Sequence, residues 1–309
     1  MAESIDFTDR VAIVTGAGGG LGRAYALALA ERGAKVVVND LGGDVHGEGG
    51  TASLAQQVVD EITAAGGEAI VDGSDITDQS AVEKTVATVM EKWGRIDILI
   101  NNAGILLDKS FAKMDIADFR KVLEVHLMGS VNCTKAVWPH MAEAGYGRIL
   151  MTTSSSGIYG NFGQTNYGAA KSGLVGLMNS LAIEGAKKNI KVNSIAPTAA
   201  TRMTEDLLPQ QVLDIMGPET IAPGALFMVS DDAPTKTILG AGAGVFAVSQ
   251  MVESRGVFLP DEARTPEVVA ERWNEIADLT DAQPLESAFE QTSKYAALAA
   301  RELGLHLEN

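Results

Sequence analysis

Short apolar runs rich in β-branched residues alternate with amphipathic runs of helical length as far as about Gly244, and this rhythm constrains the fold more than any other feature of the chain. A strand, a helix and a second strand close most simply as a right-handed crossover, so repeated units of this kind build a parallel sheet with helices on both faces. The expected strands are Val11 to Thr15, Lys35 to Asp40, Glu68 to Asp72, Ile96 to Asn101, Arg148 to Thr153, Lys191 to Ile195 and Gly244 to Val248. The expected helices are Leu21 to Arg32, Thr51 to Ala65, Gln79 to Trp93, Ile116 to Ala144 and Tyr167 to Lys187. Gly33, Gly66, Gly94 and Gly145 each follow a helical run, where a left-handed closing residue is easiest for glycine. The fold expected is α/β, a doubly wound parallel sheet over residues 1–250, with a helical extension over 251–309.

The extension breaks the rhythm. An apolar run near Gly256 to Leu259 leads into helical patterns from Pro266 to Leu279 and from Leu285 to Leu303. Val268, Val269, Trp273, Ile276, Leu285, Phe289 and Leu298 make these patterns more apolar than a solvated appendage needs. A homodimer interface that also closes the substrate site would bury them; packing on the chain's own sheet is the alternative. The Gly-rich stretch Leu41 to Gly50 is long enough to be either functional or mobile.

Charge and cysteine content narrow the partners. Lys and Arg number 24 against 40 Asp and Glu, and the net charge of −16 repels nucleic acid and anionic membrane. The single cysteine, Cys133, excludes an intrachain disulfide and a zinc site built on several thiolates. No two of His46, His140 and His306 share a metal-ligand spacing, so no metal is expected. The start, Met1 to Asp6, lacks the basic flank and apolar run of a secretory signal, and a reducing, cytoplasmic setting is the expectation.

The chemistry begins at Thr15-Gly16-Ala17-Gly18-Gly19-Gly20-Leu21-Gly22, between a strand and a helix. Glycines there let backbone approach a pyrophosphate, and the helix N-terminus offers free N–H groups and a favourable dipole; the plainer reading is a tight turn. Gly16, Gly20, Leu21 and Gly22 are therefore candidate cofactor contacts. Asp40 ends the second strand, where a carboxylate accepts from both ribose hydroxyls and repels a 2′-phosphate, which favours NAD over NADP. A solvated turn residue is its plainer role. Asp75-Ile76 and Asn101-Asn102-Ala103-Gly104 follow the third and fourth strands, so Asp75, Ile76, Asn102, Ala103 and Gly104 lie at the carboxyl edge where open α/β sheets bind ligands.

Tyr167 and Lys171, four apart, share one helix face, and Ser154 ends the fifth strand on the same edge of the sheet. A phenol is a poor base near neutrality, but a neighbouring ammonium and a positively charged nicotinamide both favour its ionised form. Lys171 is thus the candidate activator of Tyr167, and Ser154 the candidate hydrogen-bond donor to the reacting oxygen. Each alone would more often be structural.

Together these motifs resemble the short-chain dehydrogenase/reductase superfamily: Thr-Gly-x-x-x-Gly-x-Gly from Thr15, Asn-Asn-Ala-Gly from Asn101, and Tyr-x-x-x-Lys at Tyr167 and Lys171 with Ser154 upstream. Within it, Leu21 to Leu27, Val38 to Gly43, Ser156 to Gln164, Ala196 to Ala199, Thr265 to Glu267 and Trp273 resemble the (3R)-hydroxyacyl-CoA dehydrogenase domain of peroxisomal multifunctional enzyme type 2. The resemblance implies NAD-dependent oxidation of a 3-hydroxyacyl-CoA to the 3-oxoacyl-CoA in a homodimer, with Pro197 beside the nicotinamide. A hydroxysteroid or sterol-side-chain dehydrogenase is the alternative substrate reading, and a non-catalytic NAD-binding sensor the alternative of another class. A sensor would have no need of Ser154, Tyr167 and Lys171 together.

Two positions depart from the superfamily pattern. His126 stands where most members carry Asn, and is either a packed helix residue or part of a proton relay; Pro197-Thr198 replaces the usual Pro-Gly. Met203, Leu207, Leu208, Val212 and Met216 lie in the segment that covers the substrate in the superfamily, and suit either a hydrophobic substrate or an ordinary helix core.

Overall fold

Strand sequences whose side chains are apolar on both faces need cover on both faces, and the computed structural model, which describes residues 4–43, 53–199 and 209–306, provides it. The strands are β1 (Val11–Thr15), β2 (Lys35–Asn39), β3 (Glu68–Asp72), β4 (Ile98–Asn101), β5 (Gly147–Thr152), β6 (Ile190–Thr198), β7 (Ile238–Gly242) and β8 (Val245–Ser249). They form one sheet in the order β3-β2-β1-β4-β5-β6-β7-β8. Pairing is parallel from β3 through β7. The order reverses between β1 and β4, and a crevice opens at the carboxyl ends of those two strands.

The first helices are α1 (Gly20–Glu31), α2 (Ser53–Ala64), α3 (Gln79–Trp93), α4 (Ile116–Leu123) and α5 (Gly129–Ala144). They are followed by α6 (Ser155–Tyr159), α7 (Thr165–Gly185), α8 (Gln210–Leu213) and α9 (Ala222–Met228). Alternation along the strands splits the core. Val36, Val38, Ile98, Ile100 and Leu150 pack with Tyr25, Leu29 and Ile62 on one face of the sheet. Val37, Leu99, Ile149 and Val192 pack with Val137, Met141, Leu174 and Met178 on the other. At about 1.5–3 kcal/mol for each large apolar side chain fully buried, these two layers outweigh any local propensity and fix the strand register. Asp78 caps α3 by accepting from the N–H groups of Ser80 and Ala81 at 2.9 and 3.2 Å, and Gly94 closes it at φ +72°.

Three expectations need correction. The helix expected over Ile116 to Ala144 is interrupted by a π turn at Glu124–Met128, because an inward His126 demands one more residue than α geometry holds. β7 was not expected, since Ile-Leu-Gly-Ala-Gly carries a single β-branched residue; pairing with β6 makes it a strand. Gly244 lies outside β8, in the two-residue turn with Ala243, and both have positive φ as a tight hairpin requires.

The chain separates into two compact units, Met1–Val248 and Ser249–Asn309. In the second, β9 (Val252–Glu253) pairs antiparallel with β10 (Gln283–Pro284). Its helices are α10 (Pro266–Glu271), α11 (Trp273–Ile276) and α12 (Ala288–Leu303), so the two helices expected begin later or divide, and Gly256 to Leu259 is not a strand. Lys294 binds Glu253 at 2.8 Å, and Ser254 donates to the Ile276 carbonyl at 2.6 Å. Ala300 is the one buried residue of α12.

Candidate active site

Between β1 and α1 the chain makes a turn that side chains would block. A Cβ on Gly16 would stand 2.8 Å from Ala103 Cα, and one on Gly22 2.2 Å from the Gly16 carbonyl oxygen. Gly19, by contrast, faces open space, with nothing within 4 Å of the position a Cβ would take. Helix α1 has neither a side-chain cap nor an acidic residue in its first turn, so its positive end is left for an external anion. Bare backbone, open space and an uncapped helix N-terminus fit a dinucleotide pyrophosphate, with Gly16, Gly20, Leu21 and Gly22 around it.

Asp40 sits one residue beyond β2. Its Oδ2 accepts from the Gly18 N–H at 2.8 Å and its Oδ1 from the Gly42 N–H at 2.7 Å. These bonds hold the carboxylate against the glycine loop, so it is not a freely solvated turn residue. Across the crevice, Asn102 Nδ2 donates to the carbonyls of Thr15 and Gly16 at 2.9 and 3.1 Å. The N–H groups of Asn102 and Ala103 both donate to Thr15 Oγ1, at 2.9 and 3.1 Å. Asn102 therefore latches the end of β4 to the loop. Asp75 is exposed and accepts from the Thr77 N–H and Oγ1 at 2.9 and 2.8 Å. The Ile76 side chain is buried in the core, its Cδ1 2.5 Å from where a Cβ on Gly129 would be, and what it offers toward a ligand is backbone. Pro197 is half-buried at the end of β6.

The three polar residues meet on the same edge. Ser154 caps α6, its Oγ accepting from the Ser156 N–H at 3.2 Å. On α7, Lys171 Nζ lies 5.4 Å from the centroid of the Tyr167 ring and donates to the Thr152 carbonyl at 2.5 Å. Burial pushes the Tyr167 phenol up to about 12; the Ser154 side chain acts against this and Asp108 adds to it. Burial pulls Lys171 down to about 7. Both groups therefore resist charging in this environment, and a positive charge arriving beside them would favour the ionised phenol.

Two partners of this cluster escaped the sequence reading, although both lie within three residues before Tyr167. Asn166, fully buried, donates from Nδ2 to the Leu107 carbonyl at 2.9 Å and accepts the Tyr167 N–H at 2.7 Å. Gln164 donates to Asp108 at 2.6 Å while its Oε1 accepts from Ser156 Oγ at 2.7 Å and Asn161 Nδ2 at 3.0 Å. His126 is packed against the Tyr167 ring, centroids 5.1 Å apart and planes at 87°. Gly104 provides the room, since a Cβ there would stand 2.1 Å from His126 Cε1. Of the expected substrate cover, Val212 is half-buried and Met216 buried; Met203, Leu207 and Leu208 lie outside the described residues, as do residues 44–50 of the Gly-rich loop.

A family model described as short chain dehydrogenase matches residues 10–212. The chain belongs to the short-chain dehydrogenase family. It is 49% identical over 284 residues to the peroxisomal hydratase-dehydrogenase-epimerase of Saccharomyces cerevisiae, covering 91% of this chain and 31% of that protein. The structure of full-length peroxisomal multifunctional enzyme type 2 from Drosophila melanogaster superposes with a TM-score of 0.82 at 39% identity, covering 96% of this chain and 50% of that one. A 7α-hydroxysteroid dehydrogenase complexed with NADH and a 7-oxo bile acid conjugate superposes with a TM-score of 0.70 at 33% identity, covering 79% of this chain and 98% of that one. This chain thus spans half or less of the first two relatives. As a member of the family it is a dehydrogenase acting on a CH–OH group with a nicotinamide dinucleotide. Among the described residues no helix is long and apolar enough to cross a membrane.

Proposed function

We propose that the chain oxidises a 3-hydroxyacyl-CoA to the 3-oxoacyl-CoA with NAD. The observation that carries this reading is the half-buried Tyr167, with Ser154 and Lys171 around it, on the sheet edge that also holds the uncapped glycine loop. The dinucleotide supplies the hydride acceptor and, when oxidised, a positive charge at its nicotinamide ring. Ser154 Oγ donates to the substrate hydroxyl oxygen and fixes it beside Tyr167. Tyr167, ionised, takes the hydroxyl proton at Oη as the C–H electron pair leaves, and Lys171 favours that ionised form. Gly16, Gly20, Leu21 and Gly22 hold the pyrophosphate, and Asp40 the ribose hydroxyls, its charge opposing a 2′-phosphate. Backbone of Asp75 and Ile76 borders the adenine, Asn102, Ala103 and Gly104 the near ribose, and Pro197 the nicotinamide.

The acyl-CoA assignment rests on what the resemblance to the multifunctional enzymes implies, and the likeness to a hydratase-dehydrogenase-epimerase supports it. A bulky hydroxysteroid is the second reading, favoured by the likeness to a steroid dehydrogenase and by Phe162, 89% exposed four residues before Asn166. Initial rates of NAD reduction across 3-hydroxyacyl-CoA chain lengths and steroid alcohols decide between them: acyl-CoA turnover is expected, and turnover of steroids alone would overturn it.

The second unit we assign to a homodimer interface and closure of the site. Trp273 and Phe289 are 59% and 77% exposed, an apolar surface that a lone protomer leaves in water. Light scattering on a chain ended after Gly256 tests this, and a fully active dimer without the tail would refute it. The sequence reading favours the cytoplasm and the relatives' names a peroxisome; fractionation of cells making the chain with both ends untagged separates the two.

A further inference from the structure

His126 is placed where several unusual features converge. The run from α4 to α5 departs from α geometry only at Glu124–Met128, and that π turn carries His126 inward to 2% exposure. Its Nε2 lies 3.0 Å from the Ile105 N–H nitrogen and 2.8 Å from the Ile105 carbonyl oxygen, so either neutral tautomer finds a partner there. Nδ1 is buried with no hydrogen-bond partner. An imidazolium would add an unmatched proton at that atom, with Lys171 close enough to oppose it, and the pKa is held well below 6.5, chiefly by burial. The ring is therefore a neutral plate. It meets the Tyr167 ring edge to face, and Gly104 is kept free of a side chain by the space the imidazole takes.

If this histidine served only to fill the core, an apolar side chain would do so without an orphaned nitrogen. We propose that His126 is a positioning residue, pinned to Ile105 and delivered by the π turn, whose ring contact sets the plane of the Tyr167 phenol against Ser154. This rests on Tyr167 being the proton acceptor. Lys171 from α7, 5.4 Å from the Tyr167 ring centroid, and Asp108 from the segment after β4 are the charged groups acting on the two rings.

Two substitutions separate ring from nitrogen. His126→Asn keeps a polar group for Ile105 and loses the ring; an edge-to-face contact of ordinary strength predicts a fall in kcat of about tenfold. KM and dinucleotide affinity are expected to hold. The rise of kcat with pH should move to higher pH, because a phenol turned from Ser154 loses the partner that favours its ionised form. Tyrosinate absorbance, taken as the difference from the same protein carrying Tyr167→Phe, reads that shift without turnover. His126→Phe restores a ring without the bonds to Ile105 and should recover part of the lost kcat. Phe as slow as Asn, or an Asn variant with unchanged kcat and pH profile, overturns the proposal. Should the Phe variant not fold, Gly104→Ala moves the imidazole by its added Cβ, and a kcat left at the wild-type value there overturns it as well. Wild-type turnover in Tyr167→Phe would instead sink the proton-acceptor reading, so the two failures are distinguishable.

Discussion

The two edges of the sheet treat polar groups in opposite ways. At the amino edge the buried charges, Arg148 and Asp97, are matched. Arg148, buried at the start of β5, donates to the carbonyls of Ser230 at 2.9 Å, Gly147 at 2.8 Å and Asn189 at 2.9 Å. Tyr146 lies between the guanidinium groups of Arg10 and Arg148, 3.8 and 4.2 Å from its ring centroid, and donates to Asp231 at 2.5 Å. Asp97 accepts from the Val11 N–H at 2.9 Å and pairs with Arg95 at 2.6 Å. At the carboxyl edge the helix that faces the glycine loop is uncapped, His126 Nδ1 is orphaned, and Tyr167 and Lys171 are held away from their charged forms. Closed networks hold a fold in one state, whereas open valences are where a ligand finds a use; the contrast marks one edge as structural and the other as chemical.

Breaking the chemical edge should leave the fold intact. Tyr167→Phe is expected to lower kcat by about 10²–10⁴-fold with dinucleotide binding and thermal midpoint nearly unchanged, as stopped-flow and calorimetry would read. Breaking the structural edge should do the reverse. Arg148→Met removes the guanidinium bonds to the Gly147, Asn189 and Ser230 carbonyls and its stack on Tyr146, and about 3 kcal/mol of stability should go, seen as a lower urea midpoint with the kcat of the folded enzyme retained. If Asp40 opposes a 2′-phosphate as proposed, Asp40→Ala should narrow a preference for NAD over NADP by about tenfold in titrations of both cofactors.

The smallest effect concerns pH. His126 has a folded pKa below its ordinary value of 6.5, so the unfolded chain binds the extra proton first. Its contribution is complete above 6.5 and is lost as pH falls through 6.5 toward the folded value. The thermal midpoint of the wild type should therefore drop faster on acidification over that window than that of His126→Asn.

Much of this architecture is legible in the chain. β1, β3 and α3 lie where alternation, periodicity and closing glycine put them, because burial and turn chemistry point the same way there. Ser154, Tyr167, Lys171, Asp40 and the glycine loop do gather at one edge, since parallel strands deliver their carboxyl ends together. What was not legible depends on contacts distant in sequence. Ile-Leu-Gly-Ala-Gly becomes β7 only beside β6. Nothing local shows that the Ile76 side chain turns into the core, where Gly129 makes room for it, leaving its backbone at the sheet edge. Arg148 reads as a strand residue like its neighbours, and nothing local reveals that Ser230 and Asn189 supply its acceptors.

The π turn has a consequence for how this helix tolerates change in length. Removing one residue elsewhere between 116 and 144 would rotate everything after it by about 100°, the angle one residue subtends in an α-helix, and turn its buried stripe toward solvent. Within Glu124–Met128 the run already holds one residue more than α geometry uses, so a deletion there lets α4 and α5 join as a continuous helix with their faces still in phase. The slack that admits His126 is thus also the place where a one-residue deletion keeps the scaffold while giving up that particular side chain.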